Sequence, residues 1–380
     1  MKILYDQQAF DMQQYGGVSN CFVQLISHLP EGIEYEISLK ECDNVHLRDS
    51  GLMDIKPMSL SPRNFILKKH FLGQGVLYGW YSQLFPSMTS FGRNCLYSIE
   101  KLEKGDFDVF HPTFFDPYFL SYLKGKPYVL TVHDMIPELF FSKKDPQVVN
   151  KPLLCQKAAH VITVSERTKQ DLIDILHVPE NKVSVVYHGA PNLSYDQCSK
   201  PIVDGHYILF VGQRDRYKGF VQMLSYLLSF LRKHLEVNIV CTGPAFTKQE
   251  LSYLKKNNIA DRVMHVYAND FELQNLYSHA LCFIYPSLYE GFGIPILEAY
   301  NANCPVLLNR TSCFPEIAQD AAIYFHLDNE NSDLESVMEN FIQMSIIERE
   351  NLLKKQRKRL AFFSWEKSAQ ELAKIYELVV

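Results

Sequence analysis

The chain has 380 residues, of which 47% are apolar and 21% charged, and its formal net charge is −5 at pH 7. This composition excludes an intrinsically disordered chain, and the negative charge argues against a general nucleic-acid binder. A chain of this length exceeds what one hydrophobic core usually serves, so we expect two domains.

Targeting and redox features predict a cytoplasmic protein. No stretch holds the roughly 18 apolar residues of a membrane-spanning helix. The apolar run Ile3–Tyr5 is broken at once by Asp6, unlike that of a signal peptide. The nine cysteines are odd in number and form no Cys-x-x-Cys pair. Free buried thiols in a reducing compartment explain them better than disulfides or a zinc site.

Short β-branched or aromatic runs alternate with segments of helical spacing along the chain. The predicted strands of the first half are Lys2–Tyr5, Tyr35–Leu39, Asp108–His111, Tyr128–Val132, Val161–Val164 and Val183–Tyr187. Those of the second half are Tyr207–Val211, Val237–Cys241, Val263–Tyr267, Leu281–Tyr285, Pro305–Leu308 and Ala322–Phe325. Runs that are apolar on both faces are typical of parallel strands covered by helices. The pattern predicts an α/β fold with two doubly wound, Rossmann-like domains.

Helix patterns and one polar stretch define the predicted domain boundaries. Amphipathic helices are expected over Val18–Leu29, from Ser165 to about Leu176, and from about Trp365 to the end of the chain. The stretch Asn192–Gly205 is polar and aperiodic, as a linker should be. We therefore expect an N-terminal domain at 1–195 and a C-terminal domain at 205–362. The helix at about 365–380 can pack on either.

The strongest candidate site is the loop after the predicted strand that ends at Tyr285. It reads PSLYEGFGIPILE over residues 286–298. Its two glycines let the backbone approach a ligand, and its second proline suits a first helical turn. The free amides before this helix predict an anion site. The residues that would form it are Phe292, Gly293 and Ile294.

Two glutamates flank this glycine turn. Glu298 is expected in the first turn of the helix, where a carboxylate also favours the helix dipole. Glu290 lies just before the anion site and would repel a phosphate there, so we expect it to bind something else, such as sugar hydroxyls. Pairs of glutamates with this spacing are common by chance, and the surrounding Gly-x-Gly-x-Pro turn is what makes this one specific.

A second candidate is the loop FVGQRDRYKG at 210–219, again directly after a predicted strand. Arg214 and Lys218 are placed to meet a diphosphate, the arginine as a fork and the lysine as a point charge. A solvated basic loop explains the charges equally well when the loop is taken alone. Its position after the first strand of the second half favours a ligand.

The first half offers weaker candidates. Gly16 and Gly17 lie between the first strand and the first helix, where glycines allow close approach to a phosphate, although turns use glycine constantly. His133 ends a buried strand beside Asp134 and is a candidate for the reaction site, while a structural hydrogen-bonding role is the commoner one for a single histidine. His111 ends another strand and is a weaker candidate of the same kind.

These segments in this order resemble the retaining glycosyltransferases of sequence family 4, which have the GT-B fold. In that fold two doubly wound domains face a central cleft. The resemblance runs nearly end to end and has the character of bacterial surface-polysaccharide enzymes. Its motifs are YGGVSNCF, TVHDMIPE, VITVSERTKQDL, KVSVVYHG, ILFVGQRDRYKG, PSLYEGFGIPILEA and PEIAQDAAIYF.

The resemblance implies a role for each candidate residue. Glu290 would hold the donor-sugar hydroxyls, Glu298 the ribose hydroxyls, and Arg214 with Lys218 the diphosphate. From the N-terminal domain, Gly16 and Gly17 would close over the diphosphate, and His133 would lie against the sugar. The base would lie near Tyr267 and Ala268, where the chain departs from the family pattern at Val266; a second departure is Asn303. The last helix would cross back onto the N-terminal domain.

The resemblance also implies a reaction and its substrates. The donor is a GDP- or UDP-linked sugar, with mannose favoured. Neither a cofactor nor a metal is expected, because a GT-B site of this type needs no metal and no Asp-x-Asp is expected near the strand ends. For retention without a clear nucleophile we expect same-face attack, with Glu290 as a positioning group. The alternatives belong to two other classes of protein. A nicotinamide-dependent oxidoreductase requires a G-x-G-x-x-G that Tyr15–Ser19 lacks, and a sugar-nucleotide-binding protein without transfer activity would have lost the charged residues named above.

The stretch Ser61–Lys101 is the candidate region for contact with the acceptor of the sugar. It holds five Lys or Arg residues, at positions 63, 68, 69, 93 and 101, against the single acid Glu100, together with eight aromatic residues. Interleaved cations and aromatics suit anionic lipid headgroups, and a second basic cluster occupies 354–359. The hypothesis is a peripheral contact with the inner face of the plasma membrane and a glycan or polyprenyl-linked acceptor. The alternative is that the aromatics form domain core and the charges a solvated helix face.

Overall fold

The computed structural model describes residues 1–65, 73–191, 200–327 and 332–380. The chain divides into two compact units. Unit 1 comprises Met1–Val164, Thr168–Tyr187 and Trp365–Val380, and unit 2 comprises Ser165–Arg167 and His188–Ser364. Unit 2 therefore begins earlier than the predicted boundary, and residues 192–199 of the predicted linker lie outside the described residues.

Unit 1 contains six short parallel strands. They are β1 (Lys2–Tyr5), β2 (Glu34–Ile37), β3 (Val109–His111), β4 (Val129–Val132), β5 (His160–Thr163) and β6 (Val183–Val185). They form two three-stranded sheets in the orders β2-β1-β3 and β4-β5-β6. Phe110 and Tyr128 make a parallel bridge between the two sheets. Every residue of β4 and β5 is buried, and the residues at their centres are mainly apolar, as is typical of parallel strands covered on both faces.

Helices cover these strands. In chain order they are α1 (Gln8–Met12), α2 (Gly17–Ser27), α3 (Val45–Asp49), α4 (Gln74–Leu84), α5 (Ser90–Lys104), α6 (Ile136–Phe140), α7 (Pro146–Lys157) and α8 (Glu166–Leu176). The last helix of the chain, Trp365–Val379, also packs in unit 1. Its Leu372 and Tyr376 join the core formed with Phe22 and Ile26. The Tyr376 hydroxyl lies 2.7 Å from that of Tyr5.

Unit 2 is built on one six-stranded parallel sheet with the order β12-β11-β10-β7-β8-β9. The strands are β7 (His206–Phe210), β8 (Val237–Cys241), β9 (Val263–His265), β10 (Cys282–Tyr285), β11 (Val306–Asn309) and β12 (Ile323–Phe325). The helices are α9 (Phe220–Lys233), α10 (Lys248–Lys256), α11 (Asp270–His279), α12 (Ile294–Asn301), α13 (Phe314–Ala318), α14 (Leu334–Gln343) and α15 (Ile346–Leu360), and the helix Trp365–Val379 is α16. The order reverses at β7, where ligands bind in sheets of this kind.

The predicted α/β fold with parallel sheets is confirmed, and all twelve predicted strands occur. Their ends shift where a turn removes a residue from the ladder. The Leu39 amide, for example, donates to the Ile37 carbonyl at 2.9 Å, so β2 ends before the predicted residue. None of the eight described cysteines forms a disulfide. Within the described ranges, no helix has both the length and the apolar character needed to cross a bilayer.

Candidate functional site

Three neighbouring strands of unit 2, β10, β7 and β8, bring their carboxyl-end loops to one edge of the sheet. The loops after β7 and β10 are joined through their backbones, because the Leu288 amide donates to the Tyr217 carbonyl at 2.7 Å. Gly219 has a φ of +67°, and a Cβ there would lie 2.3 Å from the Pro286 carbonyl oxygen. Only glycine allows this approach. The two loops are therefore held as one surface.

Lys218 and Glu290 meet on this surface. The Lys218 Nζ lies 2.7 Å from Glu290 Oε1, and the two side chains are 16% and 9% exposed. The backbone of Glu290 is fixed by Ser312, whose hydroxyl donates to its carbonyl at 2.7 Å and accepts from its amide at 3.1 Å. The ion pair bears on the predicted repulsion between Glu290 and a phosphate at the glycine turn. The cation of the neighbouring loop neutralises the Glu290 carboxylate.

The glycine turn opens α12 as expected. Gly293 is the residue before the helix and has a φ of +89°, and Pro295 lies in the first turn. A Cβ at Gly293 would also lie 3.1 Å from the Ile296 side chain and 3.2 Å from that of Phe314. The Phe292 ring is buried and packs edge-on against Phe363. This turn can therefore meet a ligand through its amides, not through the Phe292 side chain.

The predicted position of Glu298 in the first turn of the helix is wrong. Because α12 begins at Ile294, Glu298 is its fifth residue and lies beyond the first turn, which contains no acidic residue. The helix dipole is therefore a weaker reason for a carboxylate here than predicted. Its Oε2 accepts a hydrogen bond from the Tyr277 hydroxyl at 3.1 Å. Burial raises the pKa of Glu298 to about 7, so this carboxyl group changes charge near neutral pH.

Arg214 is held by its own unit. Its Nε donates to Glu250 at 2.6 Å, and one terminal nitrogen donates to the Pro244 and Ala245 carbonyls at 2.6 and 3.0 Å. The guanidinium also lies over the Phe246 ring, 4.7 Å from its centroid. Only 4% of the side chain is exposed. The diphosphate contact of Arg214 stays a prediction, and in this structure the group fastens the loop after β8.

The predicted base-side residues follow β9. Tyr267 is 73% exposed, and its ring lies edge-on to His265 with centroids 4.5 Å apart. Ala268 comes next and is half-buried. An exposed ring at the carboxyl end of a strand can stack on a planar group. Asn303, where the resemblance expects glycine, has a φ of +54°, a region that asparagine tolerates better than most residues.

The remaining predicted residues lie in unit 1. Gly16 precedes α2 and Gly17 begins it, and a Cβ at Gly17 would meet no atom within 4 Å. His133 follows β4, and burial, aided by the charge of Lys151, lowers its pKa to about 4. It is therefore neutral at physiological pH. His133 lies at the carboxyl end of β4, where ligands of such sheets bind. Gly16 and Gly17 do not lie directly between the first strand and the first helix as predicted, because α1 comes between β1 and these glycines.

His111 belongs to the core of unit 1. Its Nδ1 lies 2.7 Å from the Tyr376 hydroxyl and its Nε2 2.9 Å from Thr131 Oγ1. Burial lowers its pKa to about 3. Both ring nitrogens thus have protein partners, which favours the structural role.

The expectation that no Asp-x-Asp occurs is wrong, because the chain contains one at Asp106 and Asp108. It precedes β3, at the amino end of that strand. Asp106 accepts a hydrogen bond from the Lys2 amine at 3.0 Å, and Asp108 accepts one from the Lys2 amide at 2.8 Å. Its carboxylates thus tie β1 to β3 at the edge opposite to the strand ends described above.

Comparisons with known proteins agree with this architecture. A family model described as Glycosyltransferase Family 4 matches residues 15–191, and one described as Glycosyl transferases group 1 matches residues 197–359. The chain is 28% identical to the O-antigen chain mannosyltransferase RfbU of Salmonella typhimurium over 57% of its own length and 61% of that relative's. It is 24% identical to the O-antigen chain mannosyltransferase B of Escherichia coli, over 71% of this chain and 74% of the relative.

Solved structures share the fold at low sequence identity. Anabaena HepE in complex with UDP and glucose superposes with a TM-score of 0.70 and 14% identity, over 99% of both chains. The sucrose-phosphate synthase of Thermosynechococcus elongatus superposes with a TM-score of 0.69 and 15% identity, over 99% of this chain and 98% of the other. The chain belongs to family 4 of the glycosyltransferases and has the GT-B fold.

Proposed function

We propose that this chain is a retaining hexosyltransferase of surface-polysaccharide biosynthesis. It takes a hexose, with mannose favoured, from a nucleotide-diphosphate donor and transfers it to a glycan or lipid-linked acceptor. The observation that carries the proposal is the Lys218–Glu290 pair beside the glycine turn that opens α12. Two mannosyltransferases of O-antigen chains among its relatives support the choice of sugar and pathway class.

Each part of the donor meets a different group of unit 2. The diphosphate is bound by the Lys218 cation and by the backbone amides of Gly293 and Ile294 at the N-terminus of α12. Glu290 accepts hydrogen bonds from the sugar hydroxyls. Glu298 accepts hydrogen bonds from the ribose hydroxyls.

The remaining residues have supporting parts in the proposal. Tyr267 and Ala268 lie against the base. Arg214 positions the loop after β8, since its guanidinium donates hydrogen bonds to the carbonyls of residues 244 and 245. For Gly16, Gly17 and His133 of unit 1, the roles that the family resemblance implies stay predictions.

The reaction proceeds on one face of the sugar. The bond between the anomeric carbon and the diphosphate oxygen breaks, and a bond forms from the acceptor oxygen to the same face of that carbon. The acceptor proton passes to the departing phosphate oxygen. Negative charge develops on the diphosphate, so Lys218 and the helix amides supply the main stabilisation, and no metal is required. Glu290 orients the sugar and forms no covalent bond.

The test uses the purified chain with GDP-mannose, UDP-glucose and UDP-N-acetylglucosamine. We expect one donor to raise the melting temperature most, because a ligand that binds only the native state stabilises it. That donor should be hydrolysed slowly without acceptor, and a chelator should leave the rate unchanged. Binding without hydrolysis or transfer would favour the sugar-nucleotide-binding alternative. A requirement for Mg²⁺ or Mn²⁺ would refute the metal-free mechanism.

Glu298→Gln should separate stability from nucleotide binding. The pKa of this carboxyl is raised from 4.5 to about 7, so its contribution to stability is lost as the pH rises through 7. Above pH 7 we expect the glutamine variant to unfold with a free energy about 1–3 kcal/mol higher than wild type, and this difference should vanish in acid. Urea titrations across this pH range measure it.

The same variant should bind nucleoside diphosphate more weakly, and with little pH dependence, because only the ionised carboxylate accepts both ribose hydroxyls. Tyr277→Phe is the matched control. It keeps the carboxylate but removes the hydrogen bond that lowers the pKa of Glu298, so its binding profile should move to higher pH. Identical profiles for all three proteins would exclude Glu298 from the site.

The acceptor is proposed to be presented at a membrane surface, on the evidence of α4 and the turn after it. The aromatic residues of the stretch Ser61–Lys101 differ in exposure: Phe65 and Tyr78 are buried, whereas Trp80 is 70% exposed. Other exposed apolar residues lie near Trp80 in the sequence; they are Val76, Leu77, Leu84, Phe85 and Met88. An aromatic and aliphatic patch of this kind suits the bilayer interface. Lys68, Lys69 and Phe71 lie outside the described residues.

Sedimentation with anionic vesicles tests this contact. We expect binding at low salt that fades as salt screens the charges. Trp80→Ser should weaken it, and replacing Lys68 and Lys69 with glutamate should weaken it at least about 10-fold, because each basic residue near such a surface contributes about 1 kcal/mol. Leu235→Ser, at an equally exposed apolar residue of unit 2, serves as control. Absence of binding at low salt would favour a soluble acceptor.

A further inference from the structure

Unit 1 contains a buried ion pair to which the proposed reaction assigns no part. The Lys151 Nζ lies 2.8 Å from Glu138 Oε2, and the two side chains are 0% and 3% exposed. Lys151 lies in α7, and Glu138 lies in α6, the short helix that follows β4. Both charges are therefore removed from water, although they belong to neighbouring surface helices.

The ammonium group of Lys151 has three contacts. Besides Glu138, its Nζ donates to the Asp134 carbonyl at 3.1 Å and lies over the Phe115 ring, 4.9 Å from its centroid. A lysine has three donors and no acceptor, so these contacts account for all of its N–H groups. The neighbouring Asn150 donates to the Phe115 carbonyl at 3.1 Å. This part of α7 therefore holds both the loop after β3 and the loop after β4.

Stability does not explain why this pair is buried. The second carboxylate oxygen of Glu138, Oε1, has no hydrogen-bond partner within the described part of the chain. A buried oxygen in this state costs free energy. Apolar side chains of similar volume often stabilise a protein as well as a buried ion pair does, or better. What the pair supplies, and apolar residues would not, is a directed bond from Lys151 to the Asp134 carbonyl.

That bond is one residue away from His133, which directly follows the buried strand β4. The Asp134 side chain accepts from the Ile136 amide at 2.9 Å, which fixes the start of α6. Lys151 thus holds the segment from His133 to Glu138 at two points, the Asp134 carbonyl and the Glu138 carboxylate. Burial first, and the charge of Lys151 second, lower the pKa of His133, so the amine also acts on this imidazole electrostatically.

We propose that Lys151 is a positioning residue for the transfer reaction, and that its paired bonds to Glu138 and to the Asp134 carbonyl fix the loop that carries His133. The inference rests on the proposed function and on the part predicted in it for His133, and it deepens both. Lys151 itself is fully buried, so it acts through the histidine and touches no substrate.

The test removes the pair without leaving a buried charge. The double variant Lys151→Met, Glu138→Met carries apolar side chains of similar volume, so we expect it to melt at the wild-type temperature or above. Its kcat for donor hydrolysis should nevertheless fall by roughly 10- to 100-fold, because a displacement of about 1 Å in a reaction site is enough for such a loss. The donor is the one selected from GDP-mannose, UDP-glucose and UDP-N-acetylglucosamine. The Kd of GDP and UDP, measured by calorimetry, should be unchanged.

A cycle of variants tests whether Lys151 acts through His133. His133→Ala should itself lower kcat. Adding the double substitution to it should lower kcat by no more than about twofold further, because residues that act as a unit are not additive. A further fall as large as in the wild-type background would overturn the proposal, since Lys151 would then act on another group. Normal turnover of His133→Ala would overturn it as well.

Lys157→Met is the matched control, because Lys157 is an exposed lysine in the last turn of the same helix. It should equal wild type in melting temperature, in kcat and in nucleotide binding. A stable double variant with wild-type turnover would show that the pair has no part in the reaction. A double variant that does not fold would also refute the inference, because the pair would then serve the fold itself.

Failure of this inference is distinguishable from failure of the proposed function. Donor hydrolysis and transfer by the wild-type chain are measured first. A wild-type chain that turns over its donor keeps the proposed function whatever the variants show, and only the part of Lys151 is then decided by them. A wild-type chain that turns over none of the three nucleotide sugars loses the proposed function, and Lys151 then has no reaction to serve.

Discussion

Replacing Glu290 with glutamine should lower the turnover number by between about 10- and 100-fold, because hydrogen bonds from sugar hydroxyls to a charged acceptor are worth roughly 1.5–3 kcal/mol. Binding of nucleoside diphosphate should be unchanged or slightly tighter. In the unliganded chain Lys218 is paired with Glu290 at 2.7 Å, and the variant frees this amine for the diphosphate. Single-turnover transfer and calorimetry with the nucleoside diphosphate measure the two quantities independently.

Glu236→Gln is the control for this variant, since its side chain is 59% exposed and lies just before β8, at the amino end of the same sheet. It should leave both quantities unchanged. Near-normal turnover in Glu290→Gln would remove Glu290 from the reaction. Loss of nucleoside diphosphate binding together with turnover would show that Glu290 organises the diphosphate site and not the sugar.

The strands were predictable because a parallel strand covered on both faces has a continuous apolar sequence. Val237–Cys241 is apolar except for Asn238, and its observed bounds equal the predicted ones. The spatial order of the strands was not predictable in the same way. Lys218 and Glu290 are 72 residues apart, and they meet because β10 pairs with β7. Such pairing depends on long-range packing, which the spacing of apolar residues along one segment does not encode.

The candidate loops were found, but the partners of their charged residues were not. A basic residue after a strand indicates a cation near the strand ends, and it does not say whether that cation faces a ligand or another side chain. Arg214 faces Glu250, which also caps α10 together with Thr247. The sequence Thr247-x-x-Glu250 was a visible signal of a helix start, and it would have placed an acid close to the loop after β8.

A cavity of about 580 Å³ in unit 1 could not be predicted from the sequence, for a different reason. Its carboxamides come from the chain after β1 and from α7, more than a hundred residues apart in the sequence. Glutamines and asparagines are also common on surfaces. Only the fold shows that Gln7, Gln147 and Asn150 line one cavity. The glycine turn at Gly293, by contrast, carries its own signal in the local order of residues.

Lys218→Met should cost both stability and donor affinity, and the two losses should respond differently to a second substitution. The single variant leaves the Glu290 carboxylate, only 9% exposed, without its cation. Breaking a fully buried pair costs about 3–5 kcal/mol, and for this partly exposed pair we expect roughly 1–3 kcal/mol in urea unfolding. Donor binding should weaken by roughly 10- to 100-fold through the lost charge-assisted contact.

The double variant Lys218→Met, Glu290→Gln separates these effects, because it removes the unpaired carboxylate but does not restore the cation. It should recover most of the lost stability while its Kd for nucleoside diphosphate stays weak. Arg216→Met is the matched control, since Arg216 is an exposed cation in the same 3₁₀ turn. A double variant as unstable as the single one would mean that the pair does not set the stability of this loop. Wild-type nucleotide affinity in both would assign the diphosphate to other groups, with Arg214 the first to test.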